Sequence, residues 1–287
     1  MAGMAEEVAP GVLRVRAANA SPFTGGGTNS YVLLGPNPGV IDPGPDDPAH
    51  LDALLAALGG HAPAAIVVTH AHVDHSALAP ALRRATGAPV LAWGDAAAGL
   101  RPLPEGIGGG GGMDRAFRPD RRLADGEALW LGGRRLAAIH APGHMGNHLC
   151  LDDGRLLWTG DAAMGFASSL VSPPEGDMGD YMASLERLLA LGPRRLLPGH
   201  GAAVEDGAGR LRDLLRHRRE REAQVLAALA AGPRTAAEIA DALYAGTAPG
   251  LRRAAARNVL AHLIHLSRLG AAEPDGALAA DAVFRAP

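Results

Sequence analysis

The feature that most constrains this chain is a continuous apolar run, "AAIVV" at residues 64–68, which passes through Thr69 into "HAHVDH" at residues 70–75. A short β-branched run of this kind predicts a strand buried on both faces. Imidazole and carboxylate groups are costly to desolvate unless something nearby satisfies them. Three histidines and an aspartate packed behind a buried strand therefore need a common partner. His70 and His72 are one residue apart, and alternate side chains of an extended segment project the same way. Asp74 and His75 follow where the chain turns into a helix. Four donors diverging from one strand-to-helix corner suffice for two neighbouring metal ions.

The flanking pattern alternates. "NSYVLLG" and "GVIDPGP" read as two strands joined by a Gly/Pro turn. "DDPAHLDALLAALGG" reads as a helix with acidic residues and Pro at its start and Gly59 at its stop. "DHSALAPALRRATG" is expected as the next helix and "APVLAW" as the next strand. From about 122 to 165, "EALWLGG", "RRLAAIHAPGH", "HLCLDDG" and "RLLWTGD" predict short strands. A helix is expected over 180–191, capped by Asp180 and ended by Gly192, then a last strand in "RRLLPGHG". Strands and helices in two halves point to packed sheets covered by helices.

After about residue 205 the strands give way to helices. "RLRDLLRHRREREAQVLAALAAG" is a long amphipathic helix, "TAAEIADALY" opens with a capping box from Thr235 to Glu238, and "LRRAAARNVLAHLIHLSRLG" is a third helix. The tail "AAEPDGALAADAVF" is expected to form a two-stranded wing. Three helices and a wing describe a winged-helix-like domain over 206–287, following a domain over 1–205.

Composition narrows the classes further. With 47% hydrophobic and 20% charged residues, the 287-residue chain has the balance of an ordinary globular protein. Its net charge of −3 gives no global attraction to nucleic acid or acidic membrane. No run approaches a membrane span, and the N-terminal segment lacks the apolar stretch of a secretory signal, so a cytoplasmic location is expected. Cys150 is the sole cysteine, which excludes an intramolecular disulfide and a CxxC motif. The chain has no lysine, so every basic side chain is an arginine and an arginine-rich helix is weak evidence for phosphate binding. The glycine run at 106–112 is expected to be a flexible loop; no GK[ST] follows it.

Three further motifs lie at predicted strand ends: "APGHMGNH" with His144 and His148, "WTGD" with Asp161, and "LPGHG" with His200. HxHxDH, PGH, TGD and PGHG in this order resemble the metallo-β-lactamase-fold superfamily of metal-dependent hydrolases. The resemblance runs from about "TNSYVLLG" to "PGHG" and implies an α+β fold, a four-layer αββα sandwich. It also implies that His70, His72 and His144 hold one metal, that Asp74, His75 and His200 hold a second, and that Asp161 bridges them. A metal-bound hydroxide, bridging or contacted by Asp74, would be the nucleophile. Zinc suits this donor set, with iron or manganese also admitted. His148, placed with Asp74 among the catalytic candidates, is expected beside a ligand or facing substrate; His140 is expected as a plain strand residue. Asp42 in "VIDPGP" is a candidate to orient a ligand imidazole, or else a turn residue.

The substrate is less constrained. A β-lactamase is disfavoured because those enzymes are usually secreted and one large class uses a cysteine ligand. Glyoxalase-II-like thioesterases use basic residues including lysine, which this chain lacks. The closer resemblance is to the β-lactamase-like group with a C-terminal winged helix, whose members include thioesterases acting on carrier-bound acyl chains and single-stranded RNA endonucleases. The expectation is a dinuclear zinc hydrolase of a small ester or thioester, with single-stranded RNA as the alternative substrate. A regulator whose winged helix binds nucleic acid is the alternative from another class. Arg210, Arg212, Arg216, Arg218, Arg219 and Arg221 would be the backbone contacts on RNA, but Asp213, Glu220 and Glu222 interleave with them and favour a solvated, salt-bridged face.

Overall fold

The computed structural model describes residues 3–109, 111–246 and 248–287. The expectations for the glycine loop and for the N-terminus fall partly outside the described residues, at Gly110 and at Met1–Ala2.

The first sheet has seven strands in chain order: β1 (Ala5–Ala9), β2 (Val12–Arg16), β3 (Asn29–Leu33), β4 (Gly39–Ile41), β5 (Ala65–Val67), β6 (Val90–Ala92) and β7 (Arg121–Arg122). It is antiparallel as far as β4 and parallel from there to β7. The parallel half needs crossovers. α1 (Pro48–Leu58) supplies one, and α2 (Val73–Ser76) with α3 (Ala79–Thr86) supply the next. The single helix expected over "DHSALAPALRRATG" is thus two. Pro80 lies in the first turn of α3, where its missing N–H costs nothing but where it cannot continue a helix begun at Val73.

The second sheet has five strands: β8 (Ala128–Leu131), β9 (Arg134–His140), β10 (Leu149–Asp152), β11 (Leu156–Gly160) and β12 (Arg195–Pro198). α4 (Met178–Ala190) connects β11 to its parallel neighbour β12. Its N-cap is Asp177, three residues before the expected Asp180: the Asp177 carboxylate accepts from the Asp180 N–H at 3.0 Å.

The strand period of two builds the layers. Ile41, Val67 and Leu91 meet Leu136, Leu151, Trp158 and Leu197 in a core between the sheets. Val40, Ile66 and Val68 point the other way, against Leu54 and Leu58 of α1 and Leu82 of α3. Behind the second sheet, Cys150, Leu157 and Leu196 pack on Tyr181, Leu185 and Leu188 of α4. This is the expected αββα sandwich, and it explains why the run before His70 is apolar at every position.

The C-terminal module comprises α5 (Gly207–Ala230), β13 (Arg234–Thr235), α6 (Ala236–Leu243), α7 (Arg252–Arg268), β14 (Glu273–Pro274) and β15 (Val283–Arg285). The capping box of α6 is present with both hydrogen bonds. The wing gains a third short strand, in the order β13-β15-β14. α5 belongs to two cores. Leu211, Leu214 and Leu215 pack behind the second sheet, whereas Val225 and Leu229 join α6 and α7. The division expected at 205/206 therefore lies just ahead of side chains that complete the sandwich. Among the described residues, no helix is long and apolar enough to cross a membrane.

Candidate metal centre

The motif residues converge from four places on one edge of the sandwich. His70 and His72 lie between β5 and α2, Asp74 and His75 within α2, His144 between β9 and β10, Asp161 just after β11, and His200 just after β12. His72 Nδ1 stands 3.0 Å from both His70 Nε2 and His144 Nε2. On the other side, His200 Nε2 lies 3.3 Å from His75 Nε2 and 3.3 Å from Asp74 Oδ2. Asp161 sits between the groups. Its Oδ2 is 3.6 Å from His144 Nε2 and 3.4 Å from His200 Nε2, and its Oδ1 is 3.4 Å from His75 Nε2.

The far side of each ring shows why these atoms face inward. Thr69 Oγ1 meets His70 Nδ1 at 3.0 Å, and Leu170 O accepts from His144 Nδ1 at 2.6 Å. His75 Nδ1 donates to Asp42 Oδ2 at 2.9 Å. Asp42 also accepts from the Thr69 N–H and hydroxyl, at 2.7 and 2.8 Å. It holds a left-handed backbone, φ 52°, which is uncommon for a residue with a side chain and marks a local constraint at the end of β4. Asp42 thus reaches the imidazole that the sequence offered as its target.

Burial drives His70 well below the ordinary imidazole range, takes His72 down to about 3, and lowers His144. These three rings are neutral at pH 7. His75 and His200 go the other way. Burial opposes their charge, but Asp161 and Asp74 raise His75 well above its usual value and His200 to about 9. Reciprocally, burial would push Asp74 and Asp161 up, and His75 and His200 hold both carboxyls below their usual range. Both stay ionised.

The donor set fits divalent metal. Atoms bound at ~2.1 Å to one tetrahedral ion stand roughly 3.4 Å apart, and the contacts above span 3.0–3.6 Å. Asp161 Oδ1 is buried and makes no well-formed hydrogen bond among the described residues, standing 3.4 Å from His75 Nε2, so a metal ion taking the place of the His75 proton would satisfy both atoms. Two glycines make the room. A Cβ on Gly199 would lie 2.6 Å from both Asp161 Oδ1 and His75 Cε1, and one on Gly160 would lie 2.7 Å from Thr69 Oγ1.

His148 does not face substrate. It is fully buried behind Asp161, whose N–H donates to His148 Nε2 at 3.1 Å, and burial lowers it well below its usual value. The catalytic place considered for it is therefore not where the structure puts it. His140 ends β9 and stacks on Trp93 at 3.8 Å, away from the cluster. Sequence reasoning missed Thr28, whose hydroxyl donates to Asp74 Oδ2 at 3.2 Å, and Asn147, which ties the Ala71 N–H to the carbonyls of Gly94 and Asp95. Nothing in their spacing marks either one.

A cavity of about 510 Å3 opens over the cluster. His72, Asp74, His144, Asp161 and His200 form its floor; Phe23, Val73, Met164 and Leu170 flank them. The outer wall comes from the C-terminal module: Tyr244 just after α6, Leu251, and Ala254 and Ala255 in the first turn of α7. Among the described residues, no arginine lines the cavity. Described parts of the glycine loop also line it: Gly112 O accepts from the Val73 N–H at 2.8 Å, and Arg257 of α7 holds Ile107 O.

Comparison with known families matches residues 23–200 to the metallo-beta-lactamase superfamily. The chain belongs to the metallo-beta-lactamase superfamily. It is thus a member of a superfamily of metal-dependent hydrolases, and residues 235–279 match the beta-lactamase associated winged helix domain. An atrochrysone carboxyl ACP thioesterase, dmxR1, of Cryptosporiopsis sp. (strain 8999) is 30% identical over 78% of this chain; the chain spans 64% of that protein's length. A metallo-beta-lactamase family protein of Thermus thermophilus superposes with a TM-score of 0.78 at 26% identity, covering 97% of this chain and 100% of its own. TTHA1623, solved in a di-iron-bound form, superposes with a TM-score of 0.51 at 30% identity over 68% of this chain and 95% of its own.

Proposed function

We propose that this superfamily member is a dinuclear metal-dependent thioesterase that takes an apolar acyl group into the cavity over the metal centre. The observation that carries the reading is the lining of that cavity: a polar floor of metal-type donors, an apolar wall, and no arginine among the described residues. A polyanionic RNA strand would need basic side chains along its path, whereas an acyl thioester needs an apolar slot and a polarising group at its carbonyl. A relative named as an ACP thioesterase supports the same substrate class.

His70, His72 and His144 would hold one ion and Asp74, His75 and His200 the other, with Asp161 between them. Two divalent ions supply carbonyl polarisation and a nucleophile at neutral pH. Zinc is the proposed metal; the donor set also suits iron, as in the di-iron neighbour. Among the chain's own residues, Asp74 is the one ionised carboxylate of this floor with a substantially open side chain, at 24% exposure. Held by Thr28, it is placed to accept a proton from the attacking water. His75 is kept in orientation by Asp42, and the cavity walls exclude bulk solvent from the acyl group. Water adds to the thioester carbonyl and the C–S bond breaks, giving a carboxylic acid and a thiol.

Five of the six α5 arginines considered for RNA support this choice, the sixth being the exposed Arg212. Arg210 donates to Met164 O and Ala167 O, Arg218 is buried, and Arg221 stacks over Tyr244. Arg216 pairs with Asp213 and Glu220, and Arg219 with Glu186. The regulator reading is weakened in a similar way, since Arg257 and Arg268 of α7 are engaged by Ile107 O and Asp177 of the hydrolase domain.

The test sets an acyl thioester of N-acetylcysteamine beside a labelled single-stranded RNA, each offered to zinc-loaded protein and to Asp74→Ala. Thioester cleavage lost in the variant is expected. RNA cleavage by the wild type alone, with the thioester intact, would overturn the assignment.

A further inference from the structure

We propose that Arg218 of α5 and Asn258 of α7 are positioning residues for the metal centre, acting through the strap Ser169–Leu170–Val171. The inference rests on His144 being a metal ligand. Its Nδ1 donates to Leu170 O at 2.6 Å, so the place of that one carbonyl sets which way Nε2 faces.

The strap carries no regular secondary structure, and it is held on both sides of Leu170 by the C-terminal module. On one side, the Arg218 guanidinium donates to Ser169 O. On the other, Asn258 Oδ1 accepts from the Val171 N–H at 3.0 Å. The two holding groups also meet each other, Arg218 Nη1 to Asn258 Oδ1 at 3.3 Å. The same strap reaches Asp161, because Ser169 Oγ donates to Asp161 O. Tyr181 closes the circuit, its hydroxyl donating to Ala162 O at 2.9 Å while its ring lies 5.0 Å under the Arg218 guanidinium.

Arg218 is 1% exposed, and among the described residues it has no carboxylate partner. A buried cation without a counterion is unfavourable. Packing alone would favour an apolar side chain at that place, so the geometry points to the carbonyl it holds. The winged-helix module would thereby act on the metal centre without contributing a ligand, although Asn258 also lines the cavity.

Zinc affinity tests this on the full chain, measured by competition with a chelator and accompanied by melting of the metal-free protein. Asn258→Ala and Arg218→Met should weaken zinc binding measurably, by up to about 10-fold, less than the ~10- to 100-fold usual for direct partners of metal-bound histidine because they act one step further out. Asn258→Asp keeps the acceptor for Val171 and should bind zinc as the wild type does. Arg268→Met removes an ion pair to Asp177 across the same domain interface without touching the strap, and should leave zinc affinity unchanged. If Arg218→Met does not fold, the Asn258 pair decides. Wild-type zinc affinity in Asn258→Ala, or an equal loss in Arg268→Met, would overturn the proposal. A wild type that binds no zinc would overturn the metal-site reading beneath it.

Discussion

On the floor of the cavity, ionisable side chains converge from four strand ends; on its outer wall, short apolar side chains come from α7, a helix that turns its charges elsewhere. The floor is rigid by construction. Its rings are fixed by partners behind them, as Asp42 fixes His75 and Leu170 fixes His144. The wall is mostly apolar, with Asn258 as its hydrogen-bonded polar member, and changing its apolar side chains alters shape more than charge. On the proposed function, chemistry and selectivity would be housed in different parts of the chain, and substitutions should separate them.

The largest effect is expected on the floor. Asp74→Ala should lower turnover of a thioester by about 10²–10⁴-fold while the circular dichroism spectrum stays that of the wild type; unchanged turnover would break the comparison outright. Next comes Gly199→Ala, which adds one methyl group against Asp161 and His75. Zinc affinity measured by chelator competition should fall by about 10- to 100-fold. On the wall, Ala254→Phe should leave short acyl thioesters largely untouched but cut kcat/KM for long ones by about 10- to 200-fold. The smallest effect belongs to the outer face of α5. Arg216 is 68% exposed, and Arg216→Ala should change stability by no more than about 0.5 kcal/mol in urea unfolding, with no change in hydrolysis.

How much of this was legible in the sequence follows the same division. Floor residues sit where buried strands end, so their motifs stand out against apolar runs, and the order HxHxDH, PGH, TGD, PGHG carried the fold and named the side chains that converge on the floor. The wall has no such signature. Ala254 and Ala255 read as ordinary helix interior, and only the docking of α7 beside the cluster makes them cavity residues. Arg218 shows the limit most clearly: on a helix where acidic and basic residues interleave, spacing does not distinguish a buried guanidinium from a solvated one. For His148 the sequence left two places open, beside a ligand or facing substrate, because motif spacing does not say which side of Asp161 it occupies; the structure takes the first. The hairpin of β1 and β2 was not anticipated. Asp180 as a cap failed because an equally good capping residue, Asp177, lay one turn earlier.

The two-core role of α5 also changes how the module should be probed. Deleting 206–287 removes Leu211, Leu214 and Leu215 from behind the second sheet, so loss of activity in that truncation would report unfolding as much as a missing wall. Point substitutions on α7 avoid the problem.

The most direct test of the account is kcat/KM for zinc-loaded wild type across a series of N-acetylcysteamine thioesters of increasing acyl length. An apolar wall over a metal floor predicts values that rise with acyl length until the cavity is filled and then level off. A profile that is flat, or that falls from the shortest acyl group onward, would contradict it.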